Sequence, residues 1–157
     1  MSLMGKVDDV AAAILKRTGP LDTWKLQKLV YYCQAWHLVW EGEPLFPERI
    51  EAWAGGPVVP DLYQRHRGAF RISSWAWGDP ENLTADEETT VEAVLGSYAH
   101  LTGAQLRQLT HQEGPWLSAR AGLAPGDRSN RVIDPDEIAD YYSGVADADE
   151  AVYVDEL

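Results

Sequence analysis

Two pairs of side chains in this sequence have types and spacings that could support chemistry. The first pair, Cys33 and His37, lies four residues apart and would share one face of a helix. A thiol beside an imidazole could serve as nucleophile and base, or as half of a zinc site. The other histidines, His66, His100 and His111, are scattered singly and offer no second half. We therefore expect a buried thiol packed like a small apolar side chain, and a core histidine bonded to the backbone.

The second pair, His111 and Glu113, lies in a segment that we predict to be a turn between two helices. In an enzyme these two groups could be the acid and base of a cleft. In a structural role they would tie the turn together by hydrogen bonds while Trp116 fills the core. No nucleophile or metal ligand accompanies them, and the chain has no phosphate loop, dinucleotide fingerprint or HExxH motif. The sequence therefore favours structure, with no catalytic residue, metal or cofactor, and an enzyme that uses His111 and Glu113 remains the alternative.

Helices must position most of these residues. Apolar spacing predicts one helix from Val7 to Arg17 and a second from about Trp24 to Glu41, the second capped by Asp22 or Thr23 and stopped by Gly42. The second helix is apolar nearly all round, which predicts a buried central element. Capping boxes and prolines at helix starts predict the remaining helices, at Pro60 to about Arg67, Thr84–Glu87 to about His100, Thr102–Gln105, Pro115 to Arg120, and Asp134–Glu137 to about Tyr142.

The stretch between the second and third helices has a different character. Residues 44–54 form two short segments, and the second alternates in polarity as a strand does, so we predict a small hairpin there. Gly55, Gly56 and Pro57 should break it, and Trp53 should be largely buried beside that turn. The predicted fold class is therefore mainly α, a compact single-domain helical bundle of five or six helices with one small two-stranded β-hairpin.

The negative charge lies mostly at the end of the chain. The net charge is −12, but residues 1–131 carry all 13 lysines and arginines, whereas the last 26 residues carry acids and no base. We predict a folded domain over residues 7–142 and an acidic, flexible tail over residues 143–157 that has little apolar mass to bury. Nucleic-acid binders usually present a basic face, so direct binding of DNA or RNA is not expected.

Cysteine use and hydropathy predict a cytoplasmic protein. One cysteine excludes an internal disulfide framework and suits a reducing compartment. No signal peptide opens the sequence, and the longest apolar stretch, residues 21–40, contains too many polar groups for a membrane span. Seven tryptophans are many for 157 residues. We expect most in the core, with Trp75 and Trp77 exposed on a loop over residues 68–82, where they could anchor a protein partner.

Several segments together resemble a known family. These segments are Lys25 to Tyr32 (KLQKLVYY), Leu45-Phe46, Ile50 to Trp53 (IEAW), Gly56 to Tyr63 (GPVVPDLY) and Leu109 to Trp116 (LTHQEGPW). In this order they are similar to the Panacea antitoxin domain, a bacterial family also met in phages and mobile genetic elements. The likeness runs from about Val7 to Tyr142, which is nearly the whole chain. One departure from the pattern is Gly114, between Glu113 and Pro115.

The resemblance implies an antitoxin of a toxin–antitoxin system. Panacea proteins neutralise unrelated toxins encoded by neighbouring genes, by direct binding or by delivering the toxin to a protease. The implied partners are thus a cognate protein toxin and, in the second mode, a protease. The family offers no settled catalytic residues to carry over. A transcriptional regulator of its own operon is a further alternative, and the lack of a basic helix counts against it.

Overall fold

The computed structural model describes the backbone of residues 6–155 and the side chains of residues 6–148. Within that part of the chain it contains seven α-helices, one turn of 3₁₀ helix at Pro80–Asn82, and two small antiparallel sheets. The fold is therefore mainly helical, as predicted, with slightly more helices than the five or six expected and a second sheet. The elements are α1 Lys6–Thr18, β1 Leu21–Asp22, α2 Thr23–Glu41, β2 Glu51–Trp53, β3 Gly56–Val58, α3 Pro60–His66, β4 Arg71–Ile72, α4 Ala85–Tyr98, α5 Gly103–His111, α6 Gly114–Ala119 and α7 Pro135–Asp155.

Helix α2 is the central element, as its all-round apolar character predicted. Asp22 caps it by accepting a hydrogen bond from the Lys25 N–H at 2.8 Å. Gly42 ends it in the left-handed region, at a φ of 73°, and donates its N–H to the Leu38 carbonyl. Helices α1, α4, α5 and α7 all pack against α2, which buries most of its surface. The predicted bounds and caps of this helix are confirmed.

Two buried glutamines fasten loops to α2. The Gln34 carboxamide accepts the backbone N–H groups of Leu45 and Phe46 at 2.7 and 3.3 Å, and donates to the Phe46 carbonyl at 2.8 Å. One heptad earlier, Gln27 accepts from the Val59 N–H and donates to the Val59 carbonyl, at 2.9 and 3.2 Å. Both glutamines are buried. These side chains replace the ladder hydrogen bonds that the two loop segments lack.

The hairpin lies slightly later in the chain than predicted. Strands β2 and β3 pair with Glu51 opposite Val58 and Trp53 opposite Gly56. Gly55, Gly56 and Pro57 were expected to end the hairpin, but they form its turn and second strand, because Gly56 adopts a φ of 130° that side-chain-bearing residues avoid. Residues 44–47 are not a strand, since Gln34 binds their backbone instead. A second pair, β1 with β4, was not predicted.

Residues far along the chain extend the hairpin. The Ala52 N–H donates to the Arg131 carbonyl, and the Ile133 N–H donates to the Ile50 carbonyl, both at 2.8 Å. Glu51 and Val132 form an antiparallel bridge between these two bonds. The loop that ends at residue 131 is thereby held beside β2.

Helix α7 is longer than predicted. It runs from Pro135 to Asp155, so its expected end near Tyr142 is wrong. Gly144 does not end the helix, because a single glycine costs only about 1 kcal/mol there. Val145 and Ala146 pack against the core, so the beginning of the predicted tail belongs to the folded domain. The side chains of the later apolar residues, 152–154, lie outside the described part. Among residues 6–155, no helix combines the length and hydrophobicity that crossing a membrane requires.

Candidate functional site

A groove of about 1070 Å³ opens between the start of α2, the β2–β3 hairpin, α3 and α5. Its walls combine exposed aromatic rings with basic side chains, and we call it the aromatic groove. Its lining residues are Asp22, Trp24, Lys28, Glu51, Trp53, Ala54, Gly55, Tyr63, Phe70, Gly103, Ala104, Arg107, Arg128, Ser129 and Asn130.

Four aromatic side chains form the apolar part of the groove. Phe70 and Trp24 are 76% and 39% exposed, while Trp53 and Tyr63 are half-buried. The Tyr63 ring contacts both tryptophans, with its centroid 4.9 Å from Trp53 and 6.3 Å from Trp24. The Thr23 N–H donates to the Phe70 carbonyl at 2.9 Å, which holds Phe70 beside Trp24. Such a large exposed aromatic patch is typical of a binding surface.

A buried lysine lies at the base of this groove. Only 3% of Lys28 is exposed, and its Nζ is 6.0 Å from the centroid of the Trp24 ring. The pKa of Lys28 is lowered to about 8, mainly by burial and also by the nearby charge of Arg107, against a smaller opposing effect of Asp22. Lys28 therefore lies in surroundings that disfavour its positive charge.

The two carboxylates of the lining already have partners, unlike its cations. Glu51 accepts from Arg49 Nε and from Trp53 Nε1, both at 2.8 Å, and Asp22 caps α2. Within the described residues, the side chains of Lys28, Arg107 and Arg128 make no hydrogen bond or ion pair. The groove thus combines aromatic rings with three basic groups that have capacity for an anion.

Trp53 is partly buried beside the turn of the hairpin, as the sequence predicted. It lies at the end of β2, half-buried, with one side in the groove. Its carbonyl accepts from Trp116 Nε1 at 2.8 Å, so the hairpin is joined to α6. In the hairpin, Gly56 pairs with Trp53 and Pro57 pairs with Ala52. A Cβ on Gly56 would lie 3.4 Å from Lys28 Cε, so this position leaves room for the lysine chain.

His111 and Glu113 have different surroundings and do not line the groove. The His111 ring stacks on Trp116, with 4.0 Å between centroids and 7° between planes. Its Nε2 is the one buried side-chain nitrogen or oxygen in the described residues that has no hydrogen-bond partner. Burial lowers the pKa of His111, and the charges of Arg107, Lys28 and Arg120 add to this effect. A neutral, stacked imidazole suits the expected structural role.

Glu113 accepts hydrogen bonds from two tyrosines. Its Oε1 lies 2.5 Å from the Tyr32 hydroxyl and 2.9 Å from that of Tyr142. The Tyr142 hydroxyl oxygen also lies 3.1 Å from the Tyr31 hydroxyl, and it can accept from Tyr31 while its own proton goes to Glu113. Glu113 therefore joins α2 to α7. We had expected it to stabilise only the turn in which it lies. The structure also explains the glycine at position 114, where the sequence departs from the family pattern. A Cβ there would lie 2.9 Å from the Tyr141 ring.

Replacing Glu113 with glutamine should leave the fold intact and change its pH dependence. Burial raises the pKa of Glu113 above its ordinary value of 4.5. The folded state therefore binds the proton more tightly than the unfolded state, and wild-type stability falls as pH rises from 4.5 through the folded-state pKa. Glu113→Gln keeps an acceptor for both hydroxyls and should reduce this fall, as measured by urea unfolding between pH 4 and 8.

The matched variant for this test is Glu113→Ala. It leaves two buried hydroxyls without their acceptor and should cost roughly 2–4 kcal/mol at pH 7. Equal losses in the glutamine and alanine variants would contradict the hydrogen-bonding role assigned to Glu113.

Cys33 and His37 are both buried, as expected. Burial raises the pKa of the Cys33 thiol, which disfavours the reactive thiolate. The expected backbone partner of His37 is wrong, since its Nδ1 lies 2.7 Å from the Thr90 hydroxyl on α4. Burial also lowers the pKa of His37. Among the described residues, no three Cys, His, Asp or Glu side chains converge as a metal site would require.

The loop tryptophans differ from each other in exposure. Trp75 is only 4% exposed, and its Nε1 donates to Asp8 Oδ1 at 2.9 Å, so its expected exposure is wrong. The loop folds over α1, and this buried carboxylate satisfies the indole. Trp77 is 36% exposed, and the Arg65 guanidinium lies 5.5 Å from its ring. Trp77 alone of the two remains a predicted anchor.

Sequence reasoning missed most of the groove. Lys28 was considered as part of the family motif KLQKLVYY and as a polar residue within the apolar stretch, with no role of its own. A lysine within a helix that is apolar nearly all round is itself a signal. Trp24 was expected at the start of α2 without a role. Phe70, Tyr63 and Arg107 come from separate segments, and nothing local indicates that they meet.

Comparison with known proteins identifies the class of this chain. The family described as "Antitoxin SocA-like, Panacea domain" matches residues 26–117. The match covers more than half of the 157 residues and includes most of α2, the β2–β3 hairpin, α5 and the start of α6. The chain belongs to this family, as the resemblance of its motifs indicated. No curated protein and no solved structure matches it.

Proposed function

We propose that this protein is a cytoplasmic, non-enzymatic antitoxin that neutralises a toxin encoded by a neighbouring gene, and that it holds the toxin at the aromatic groove. The family supplies the antitoxin class. The aromatic groove supports the binding role, because exposed aromatic residues with neighbouring arginines are the side chains in which interface energy concentrates. The same docking step would serve direct neutralisation or delivery of the toxin to a protease.

The groove is the observation that carries this proposal. Phe70 is the most exposed large apolar residue among the described ones, and Trp24 is the aromatic residue beside it. Folding alone gives no reason to keep a phenyl ring 76% exposed, since its burial would stabilise the chain. A partner that covers the groove would bury both rings together.

The arrangement gives the enzyme alternative little support. A pair of acid and base groups should meet in a cleft, whereas Glu113 is bonded to Tyr32 and Tyr142, and His111 stacks on Trp116. Neither residue lines the aromatic groove. A binding function explains the groove without either of them.

The neighbouring gene provides the test of the proposed function. Expressed alone, its product should arrest growth, and co-expression with this chain should restore growth and yield a complex that co-purifies. Trp24→Ala and Phe70→Ala should weaken binding about 10- to 100-fold, the range expected when interface aromatics are removed. Binding is measured by titration calorimetry, and rescue by colony counts.

Trp40→Ala is the matched control. Trp40 is 48% exposed, and it lies at the end of α2 outside the groove. Its replacement should leave binding unchanged. Rescue that persists in Trp24→Ala and Phe70→Ala would exclude the groove as the docking surface. If Trp77→Ala alone abolished rescue, docking would instead involve the loop over residues 73–79.

A further inference from the structure

The charge of the aromatic groove is opposite to that of the chain as a whole. The net charge is −12, yet three basic residues, Lys28, Arg107 and Arg128, line this one groove. Its two acids, Asp22 and Glu51, are already hydrogen-bonded. Within the part of the chain that the structure describes, no carboxylate lies within ion-pair distance of the three basic side chains. An anionic partner group would therefore meet local charge complementarity.

The position of Lys28 limits what the anion can be attached to. The ammonium lies beneath Trp24 and beside Gly56, at the base of an aromatic wall. Trp24, Trp53 and Tyr63 line the same groove, so an anion bound at Lys28 would lie beside aromatic rings. A carboxylate on a short apolar stem fits these surroundings. A nucleic acid does not, because its phosphates need an extended basic surface.

The repulsion between two neighbouring cations also favours an anion at this place. Lys28 and Arg107 are two cations close together, and the charge of Arg107 disfavours that of Lys28. A carboxylate between them would replace this repulsion with charge-assisted hydrogen bonds in surroundings of low polarity. The lysine would then be protonated over a wider pH range than in the free protein.

We propose that the aromatic groove binds a segment of the protein partner in which an Asp or Glu carboxylate lies beside an apolar side chain. The carboxylate binds Lys28 Nζ and the Arg107 guanidinium, and the apolar side chain packs against Trp24, Trp53 and Phe70. This inference rests on the proposed function, since it names the partner chemistry of the same groove. It explains why an acidic chain keeps an unpaired buried lysine there.

Two synthetic peptides provide the probe, acetyl-Gly-Phe-Glu-Leu-Gly-amide and its counterpart with Gln in place of Glu. They differ only in the charge of one side chain. At pH 7 the Glu peptide should bind at least about 10-fold more tightly, as expected for a charge-assisted pair. Binding is followed by NMR through the indole N–H signals of Trp24 and Trp53. Lys28→Met and Arg107→Gln should reduce the preference for the Glu peptide, and Lys16→Met, an exposed lysine of α1, should not.

The outcomes separate this inference from the proposed function. Equal affinity of the two peptides, or no binding of either, would overturn the carboxylate preference. A preference that survives in Lys28→Met would overturn it too, as would inorganic phosphate that binds as tightly as the Glu peptide. If toxin binding is then still lost in Phe70→Ala, the proposed function stands and the inference alone fails. If the Glu preference holds while Phe70→Ala retains the toxin, the groove binds carboxylates but is not the toxin site.

Discussion

Gln34→Met is expected to lower the free energy of unfolding by about 3 kcal/mol or more. Methionine has a similar length, but it removes the partner of three backbone groups: the N–H groups of Leu45 and Phe46 and the Phe46 carbonyl. All three are buried, and each unsatisfied buried polar group costs about 1–3 kcal/mol. Because domains of this size have only about 5–15 kcal/mol of stability, this loss is large. Thermal unfolding should show a fall in Tm of about 6–12 °C.

Gln108→Met is the control for this loss. Gln108 lies on α5, is exposed, and its side chain makes no hydrogen bond within the described residues. Its replacement should change the free energy of unfolding by no more than about 0.5 kcal/mol. Similar stabilities for the two variants would show that water replaces the Gln34 carboxamide, and that the loop at residues 44–47 does not depend on it.

Lys28→Met is expected to have the opposite effect and to stabilise the fold. The pKa of Lys28 is lowered from 10.5 to about 8, so the folded state disfavours the charged form relative to the unfolded chain. At pH 7 this difference costs about 3 kcal/mol at most. Methionine carries no charge and fits the same aliphatic space. We expect the variant to gain about 1–3 kcal/mol at pH 7 and to lose partner affinity, a trade-off common at functional sites.

The pH dependence shows whether charge is the cause. Between pH 8 and 10.5 the unfolded chain binds the Lys28 proton and the folded chain does not, so wild-type stability rises with pH relative to the variant. The advantage of Lys28→Met should therefore shrink steadily over this range, as measured by urea unfolding at several pH values. A constant difference between pH 7 and 10.5 would assign the effect to packing. A less stable Lys28→Met would contradict the cost assigned to the buried charge.

Local signals predicted the helices well. Of the three predicted capping boxes, those at Thr84 and Thr102 form, each with reciprocal hydrogen bonds to the residue three positions later. At the start of α7, Asp134 instead accepts from the Asp136 N–H. Asp22 and Gly42 bound α2 as their residue types indicate. These features depend on neighbours within four residues, which a sequence displays directly.

Features that depend on distant partners could not be predicted in this way. The loop that carries Trp75 has the composition of an exposed loop, but Asp8, sixty-seven residues earlier, accepts its indole N–H and allows its burial. The hairpin was misplaced because Gln34 binds residues 45–46 and Gly56 accepts an unusual φ. In both cases a tertiary contact decided between conformations that the local sequence leaves open.

The aromatic groove could not be predicted either, because it too depends on contacts between distant segments. Its aromatic residues come from α2, β2, α3 and the segment before β4, and its cations from α2, α5 and the loop before residue 131. Family resemblance indicated a binding protein, but the binding surface depends on how these segments pack. Only Lys28 carried a local signal, as a charged residue within a helix that is otherwise suited to burial.

The contact between β2 and residues 131–133 also has a consequence for the newly made protein. Residues 128–130 line the groove, and the bonds of Arg131 and Ile133 to Ala52 and Ile50 join this segment to β2. Ribosomes add about 5–20 residues per second from the N-terminus, so the aromatic wall emerges well before the segment that completes the site. A nascent chain thus exposes Trp24 and Phe70 before the proposed binding groove is complete. Interrupted translation would yield fragments that have the aromatic surface but lack a complete groove. Chaperones and proteases would recognise the exposed aromatic residues of such fragments.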